Sequence, residues 1–446
     1  MSPQLPLIYA ELLVNIRQLS VIVAFQTSCP KDASVSLTAD GKQFSLRQNG
    51  KISVLHLPGQ VASIDIQQPL PGVKEFSWRL PLAGPQRVLH AGDAPTIEGP
   101  WSARTLTENS VFSCRNCGTV IVGKGAIKEW RDLPSENWAE MMDFWHCHKP
   151  ADHKHDQVDT TIKSGSTGGL DLERSRGYGA STKFVAQDQV GFVDITSFLL
   201  TPKHLSGIKS PRYSEPSTDG HKPRLTELHC AGCNHAIGYN DEQAEGYKIW
   251  KWAMAESVGH FEQAETPCSM GRFFSSIIST LLAAVISSQG CSRIVVMPNI
   301  STVPSGVQEL ADHAAPSTTS PYPTTTCSMP SSSPHAIEPF SLSLWILSPS
   351  IRYSSNQTAS PELSQNLQAE KTPKEGGAAM KVFWKAISLD EAGSMIEKPG
   401  VEEVALPMDA VIELQLNLRG SALLLPESGR KFQDWEVGLL DKYEGS

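Results

Sequence analysis

Basic residues are scarce in this chain: 38 Lys and Arg stand against 47 Asp and Glu in 446 residues, a formal charge of −9. Phosphate backbones are gripped by concentrated Lys/Arg faces, and no such run occurs, so direct nucleic-acid binding is not expected. Also missing are a Gly-rich phosphate loop, a His-Glu-x-x-His and a Gly-x-Ser-x-Gly, which removes the usual sequence support for nucleotide, zinc-protease and serine-hydrolase chemistry. No basic n-region opens the chain, and Glu11, Asn15 and Arg17 interrupt its first apolar stretch, so no secretory signal is expected. The longest apolar window, 273–288, is short for a bilayer and holds five serines, which predicts a buried helix and no membrane span. Nine cysteines, an odd count without a small secreted-domain context, speak against a disulfide framework and for metal or reactive thiols. In a chain expected in the cytosol or nucleus, the glycosylation acceptor Asn356-Gln357-Thr358 carries no weight.

What is present suggests an α+β protein in three parts. Over residues 12–25 apolar positions alternate in two phases, Leu12, Val14, Ile16 and then Leu19, Val21, Val23, Phe25, the period of half-buried strands. Asp40-Gly41 and Asn49-Gly50 sit between apolar alternations and predict two hairpin turns. Ile64/Ile66 and Phe76/Trp78/Leu80 add strand-like pairs, so residues 1–105 are expected to form an antiparallel, sandwich-like β domain. A central β-rich zinc module is expected over 106–255, with a polar Gly/Ser/Asp/His insertion at 149–181 that is expected to be disordered. Inside it Trp138, Met141, Met142 and Trp145 fall on one helical face, for core packing or docking. A mixed α/β region is expected over 256–446, with the Ser/Thr/Pro-rich stretch 302–334 expected to be disordered. For 411–418 the pattern fits a helix and a strand equally well.

The strongest chemical signal is a pair of Cys-x-x-Cys knuckles, Cys114/Cys117 and Cys230/Cys233. That spacing turns two thiolates toward one tetrahedral ion, and Gly118 relieves the turn after the first knuckle. The 112 intervening residues cost little, because loop closure grows by only ~0.6 kcal/mol per doubling of length. A bound structural zinc contributes on the order of 10 kcal/mol or more. Four unliganded buried thiols and a redox dithiol are the competing readings; the second lacks a thioredoxin-like βαβ context. Four sulfur ligands leave no open position, so the ion is expected to be structural. His146-Cys147-His148, with His153 and His155, forms a second group with three readings: a further metal site, a thiol activated by imidazole, or a helix C-terminus favoured by its dipole.

Seven stretches follow one another along the chain: Cys-Arg-Asn-Cys-Gly (114–118), Leu-Pro-Ser-Glu-Asn-Trp (133–138), Asp-Phe-Trp-His-Cys-His (143–148), the second knuckle, Tyr-Lys-Ile-Trp-Lys-Trp (247–252), Met-Lys-Val-Phe-Trp-Lys (380–385), and the closing Leu425-Pro426-Glu427 to Trp435. Together they resemble the HECT-like proteins that bind a ubiquitin-conjugating enzyme. More locally, the second knuckle with Ile237-Gly238 and Tyr247-Lys248 resembles one side of a β-tent zinc module. The family resemblance implies ubiquitin ligase activity, a charged conjugating enzyme as partner, cyclin-type substrates, and a cytoplasmic and nuclear location. It also implies an alternative: a non-enzymatic assembly factor for the endonuclease complex that cleaves messenger-RNA precursors at their 3′ ends. A true HECT ligase keeps its thioester cysteine near the C-terminus, whereas here the last cysteine is Cys327 and 119 residues follow it. For covalent transfer Cys147 is then the first candidate, and Cys268, just ahead of the expected 273–288 helix, the second.

Overall fold

The computed structural model describes residues 5–84, 97–133, 185–209, 226–256, 267–299, 339–357 and 377–444. The 149–181 and 302–334 segments, and the face of Trp138, Met141, Met142 and Trp145, lie outside the described residues.

Along the chain the first strands are β1 (Leu7–Leu13), β2 (Gln18–Ala24), β3 (Ser34–Leu37), β4 (Gln43–Gln48), β5 (Lys51–His56) and β6 (Glu75–Pro81). The middle segment supplies β7 (Phe112–Cys114), β8 (Val120–Val122), β9 (Glu129–Asp132), β10 (Val190–Val193), β11 (Ser197–Leu200), β12 (Ile208–Lys209), β13 (Thr226–Cys230), β14 (Ala236–Asp241), β15 (Gly246–Trp250) and β16 (Met254–Glu256). Helix α1 (Pro267–Gln289), β17 (Arg293–Pro298), β18 (Ser341–Ser355), β19 (Gly377–Ile387), α2 (Leu389–Ile396), β20 (Val401–Leu406), α3 (Met408–Ser421), β21 (Lys431–Phe432) and β22 (Trp435–Asp441) complete the described elements.

The two phases of apolar alternation in 12–25 are two strands, and the phase slips at the turn between them. Val14–Ile16 is a 3-10 turn, Arg17 adopts φ 51°, and Val14 and Ile16 are exposed. Both predicted hairpins form. Asn49 and Gly50 take φ 46° and 70° between β4 and β5, the doubly left-handed turn that matches strand twist. Gly41, at φ 66°, accepts from Val61 N–H, and a Cβ there would lie 2.1 Å from the Val61 carbonyl oxygen. The Ile64/Ile66 stretch is not a strand. Instead the Gln68 side chain accepts from Val35 N–H at 2.8 Å and donates to Val35 O at 3.0 Å, giving β3 the partner that a strand would have supplied.

The chain folds as two compact units, not three successive domains: Met1–Glu98 with Ala264–Ser446, and Gly99–Gln263. The separate first and last domains expected at 1–105 and 256–446 are corrected by strand pairing, because β1 pairs antiparallel with the C-terminal half of β18. In the larger unit nine described strands share one sheet, in the order β21-β22-β19-β18-β1-β2-β6, with β17 on the N-terminal half of β18 and β20 parallel to β17. The β3-β4-β5 sheet packs Val35, Phe44, Leu46 and Leu55 against Ile8, Leu19, Val21 and Trp78. Strand β1 is thus buried on both sides, which sequence alternation alone does not reveal.

Helices α1 and α3 pack on β22. The serines of α1 take part in that packing: Ser279 Oγ donates to Asp441 O at 2.9 Å and Asp441 N–H donates to Ser275 Oγ at 2.9 Å. By length and composition α1 is apolar enough to cross a membrane, and in this unit Phe274, Ile277, Ile278 and Leu282 are buried. Segment 411–418 belongs to α3: Val411, Leu414 and Leu418 are buried, while Leu416, which a strand phase would bury beside Leu414 and Leu418, is 55% exposed. Helix α2 begins on a capping pair, with Ser388 Oγ accepting from Glu391 N–H at 3.2 Å. Ser388→Ala is expected to cost about 1 kcal/mol, read as a shift in the denaturant midpoint at unchanged slope.

In the smaller unit seven described strands run β12-β13-β14-β15-β11-β10-β9, all antiparallel except β9–β10, and β16-β7-β8 forms a second sheet. Its core holds Phe112, Trp130, Phe198, Leu228, Ile237, Ile249 and Trp250. The 247–252 stretch is therefore core architecture. Lys251 itself is 2% exposed, donates to Pro100 O at 2.9 Å, and lies 5.5 Å from the Phe198 ring centroid; burial lowers its ammonium to about 8.

Candidate metal centre

Each knuckle closes a β-hairpin, and the two are built alike. Cys114 ends β7 and Cys230 ends β13, each followed by a turn that carries the second cysteine into β8 or β14. Cys114 O accepts from Gly118 N–H at 2.7 Å, and Cys230 O accepts from Asn234 N–H at 2.9 Å. Cys114 N–H donates to Thr119 O at 2.7 Å, and Cys230 N–H to His235 O at 2.9 Å. The residue four after the first cysteine is left-handed in both, Gly118 at φ 74° and Asn234 at φ 61°, the two residue types that tolerate this conformation best.

The strap from Leu205 to Ile208 brings the hairpins together. Ser206 N–H donates to Ile121 O beside the first knuckle, and Gly207 O accepts from Ala231 N–H inside the second. Gly207 is held at φ 62°, and a Cβ on it would lie 2.7 Å from Val120 O. Gly232 passes under the opposite knuckle, where a Cβ would lie 2.3 Å from Thr119 Oγ1 and 3.1 Å from Cys117 Sγ. The close approach of the hairpins therefore depends on Gly207 and Thr119, outside the Cys-x-x-Cys pattern, and on Gly232, at one of its x positions.

The result is one cluster of four sulfurs, all within 4.8 Å of one another. Cys114 and Cys233 Sγ are 3.7 Å apart, Cys117 and Cys230 Sγ 3.5 Å. A tetrahedral ion with metal–sulfur bonds near 2.3 Å needs sulfur–sulfur edges of about 3.8 Å, so the donor set fits a metal ion with only small adjustments. Among the described residues this is the one group of Cys, His, Asp and Glu side chains placed to hold one. Cys114 and Cys230 are buried, Cys233 half-buried and Cys117 exposed. Burial pushes the Cys114 thiol up to about 12 against the pull of backbone N–H groups of Asn116 and Cys117. The Thr119 hydroxyl, 3.2 Å from Cys117 Sγ, holds that thiol down to about 6 with help from the Thr119 backbone N–H. A cation at the centre would favour the thiolate in all four.

Thr119, Gly207, Gly232 and Asn234 were not singled out by the sequence reading. Asn234 had a visible signal, standing four residues after Cys230 as Gly118 stands after Cys114; Gly207 and Gly232 had none, since their neighbours are remote in sequence. Cys147, with His146, His148, His153 and His155, lies outside the described residues, and Cys268 is the second residue of α1. Gly232→Ala is expected to force Thr119 and Cys117 apart, destabilising the metal-bound unit by about 1–3 kcal/mol. Competition with a chromogenic chelator checks this, with faster metal release expected from the variant.

A family model described as HECT-like ubiquitin-conjugating enzyme (E2)-binding matches residues 11–437. An uncharacterized protein of Saccharomyces cerevisiae is 35% identical over 91 residues, 20% of this chain and 26% of that protein. An uncharacterized protein of Schizosaccharomyces pombe is 39% identical over 161 residues, 35% of this chain and 38% of that protein. These matches thus span between a quarter and two fifths of the relatives' own lengths. No solved structure gives a significant match.

Proposed function

Because the chain belongs to the HECT-like ubiquitin-conjugating enzyme (E2)-binding family, we propose that it is a ubiquitin ligase, or a ligase cofactor, that binds a charged conjugating enzyme and promotes ubiquitin transfer to protein substrates. The observation that carries this reading is the extent of the family match, which runs through both units of the fold. The four-cysteine centre belongs to the same proposal as the site of one structural Zn²⁺, on Cys114, Cys117, Cys230 and Cys233. When bound, the ion would cross-link the two hairpins, and its four sulfur ligands leave no position for a substrate.

Transfer by orientation needs no cysteine of the ligase itself. The acceptor lysine amine attacks the thioester carbonyl on the conjugating enzyme, a C–N bond forms, the C–S bond breaks, and the enzyme's thiol leaves with the proton that the amine gives up. Holding donor and acceptor together lowers the barrier through proximity. The finer alternative is a thioester on Cys147 or Cys268. A nuclear and cytoplasmic location and cyclin-type substrates belong to the proposal as well.

A single-turnover discharge assay tests it, using conjugating enzyme charged with ubiquitin and the full-length chain. Faster discharge that survives Cys147→Ala and Cys268→Ala is the expected result. A reducible adduct lost in one variant would move the chemistry to that cysteine. Absence of both binding and discharge across a panel of conjugating enzymes would overturn the reading in favour of a non-enzymatic assembly factor for the messenger-RNA 3′-end nuclease.

A further inference from the structure

The larger unit carries a second set of chemistry-bearing residues that the metal centre does not use. One face of its main sheet is covered by α1 and α3. On the other face α2 packs on Val295 and Ile387 at one end, and Leu424 and Leu425 pack on Ile351 and Leu439 at the other. Between these covers Trp345, Phe383, Phe432 and Trp435 form one aromatic cluster, with the ring centroids of contacting pairs 5.6–6.4 Å apart. Phe432 is 46% exposed. The sequence stretches 380–385 and 430–435 meet here because β19 pairs with β22, Phe383 opposite Val437 and Trp384 opposite Glu436.

Cations are laid over these rings. The Arg293 guanidinium lies 5.5 Å from the Trp345 centroid, and Lys385 Nζ lies 4.4 Å from that of Trp435 while pairing with Asp434. Next to them opens a cleft of about 290 Å³ whose lining includes Arg293, Lys385, Lys398, Glu391 and Trp435. With Lys385 paired to Asp434, Arg293 and Lys398 remain against Glu391 in the lining, a local cationic excess in a chain whose net charge is −9. Among the described residues neither Arg293 nor Lys398 carries an ion pair.

We infer that this cleft binds an acidic, extended peptide segment of a partner protein. Its carboxylates meet Arg293 and Lys398, where the planar guanidinium, 5.5 Å from the Trp345 ring centroid, offers a bidentate fork. An apolar side chain of the segment covers the Trp345, Phe432 and Trp435 rings, which supply large contact area at low entropic cost. Nucleic acid is the poorer fit, since a phosphodiester backbone needs a cationic track longer than three side chains. The inference goes beyond ubiquitin transfer and does not depend on it: the cleft lies in the larger unit, and its chemistry is set by its own residues.

The test is fluorescence anisotropy with the full-length, zinc-supplemented protein and a short fluorescein-labelled peptide that alternates Glu with Leu around a central Phe. Saturable binding is expected, weakened about tenfold by Arg293→Glu with Lys398→Glu, and similarly by raising salt to about 0.5 M. Phe432→Ala, an exposed position, is expected to weaken it several-fold, whereas Lys51→Glu on the N-terminal hairpin leaves it unchanged. Four results would overturn the inference: no binding to the wild type, equal binding of a Gln-for-Glu peptide, equal binding by the charge-reversed variant, or tighter binding of an oligouridine lost on the same reversal. Because the readout contains no ubiquitin, failure here leaves the discharge assay unaffected, and the reverse holds too.

Discussion

Replacing Cys114 and Cys230 together by serine is expected to abolish metal binding and to unfold the smaller unit. These two sulfurs are the buried pair, one at the end of each knuckle strand, and both lie in the core that holds Phe112, Leu228 and Ile237. A structural zinc supplies on the order of 10 kcal/mol, as much as the whole net stability of an ordinary domain, about 5–15 kcal/mol. Elemental analysis of the wild type should give one zinc per chain, and the variant a small fraction of that. Calorimetry should show the transition of the smaller unit missing. Cys29→Ser with Cys291→Ser, which removes two buried thiols from the larger unit, should retain the metal. Wild-type protein without stoichiometric metal, or a double variant that melts like wild type, would sink the assignment.

Trp384→Ala is expected to destabilise the larger unit by about 3–5 kcal/mol. Trp384 is 1% exposed, stands opposite Leu344 and Glu436 in the sheet, and lies 5.6 Å under the Arg419 guanidinium of α3. Removing its ring leaves a cavity beneath a helix that is anchored elsewhere and collapses only in part. For a unit of this size the melting temperature should fall by about 10 °C. Trp435→Ala, on the partly open face of the same sheet, should cost less. An equal loss in the two variants would show that the helix-covered face does not dominate the packing.

How far the sequence carried depended on the range of the interaction concerned. Asn49-Gly50 specified its hairpin because a doubly left-handed turn is a property of those two residues and their neighbours. The alternation in 12–25 was correctly strand-like, but it could not show that Val14 and Ile16 sit in a turn, because the phase slip is as compatible with a bulge. For 411–418 two periods coincided over eight residues, and packing beneath α3 selected the helical one. Partner choice was the larger gap. Nothing in residues 7–13 announces residues 352–355 as their neighbours, so a domain boundary was expected where one sheet runs through.

By itself the sequence determined several strands, β2 and β6 among them, the tight turns and the four thiols with ligand spacing, since each follows from side-chain chemistry within a few residues. It also determined the family, through motifs kept in order along nearly the entire chain. Tertiary structure alone decided that the first and last segments form one unit, that Gly207 and Gly232 let the knuckles touch, and that two distant aromatic stretches line one cationic cleft. The physical reason is common to all three. Backbone pairing across hundreds of residues, and the space left by an absent Cβ, are set by what the chain meets when folded, and no local pattern encodes that encounter.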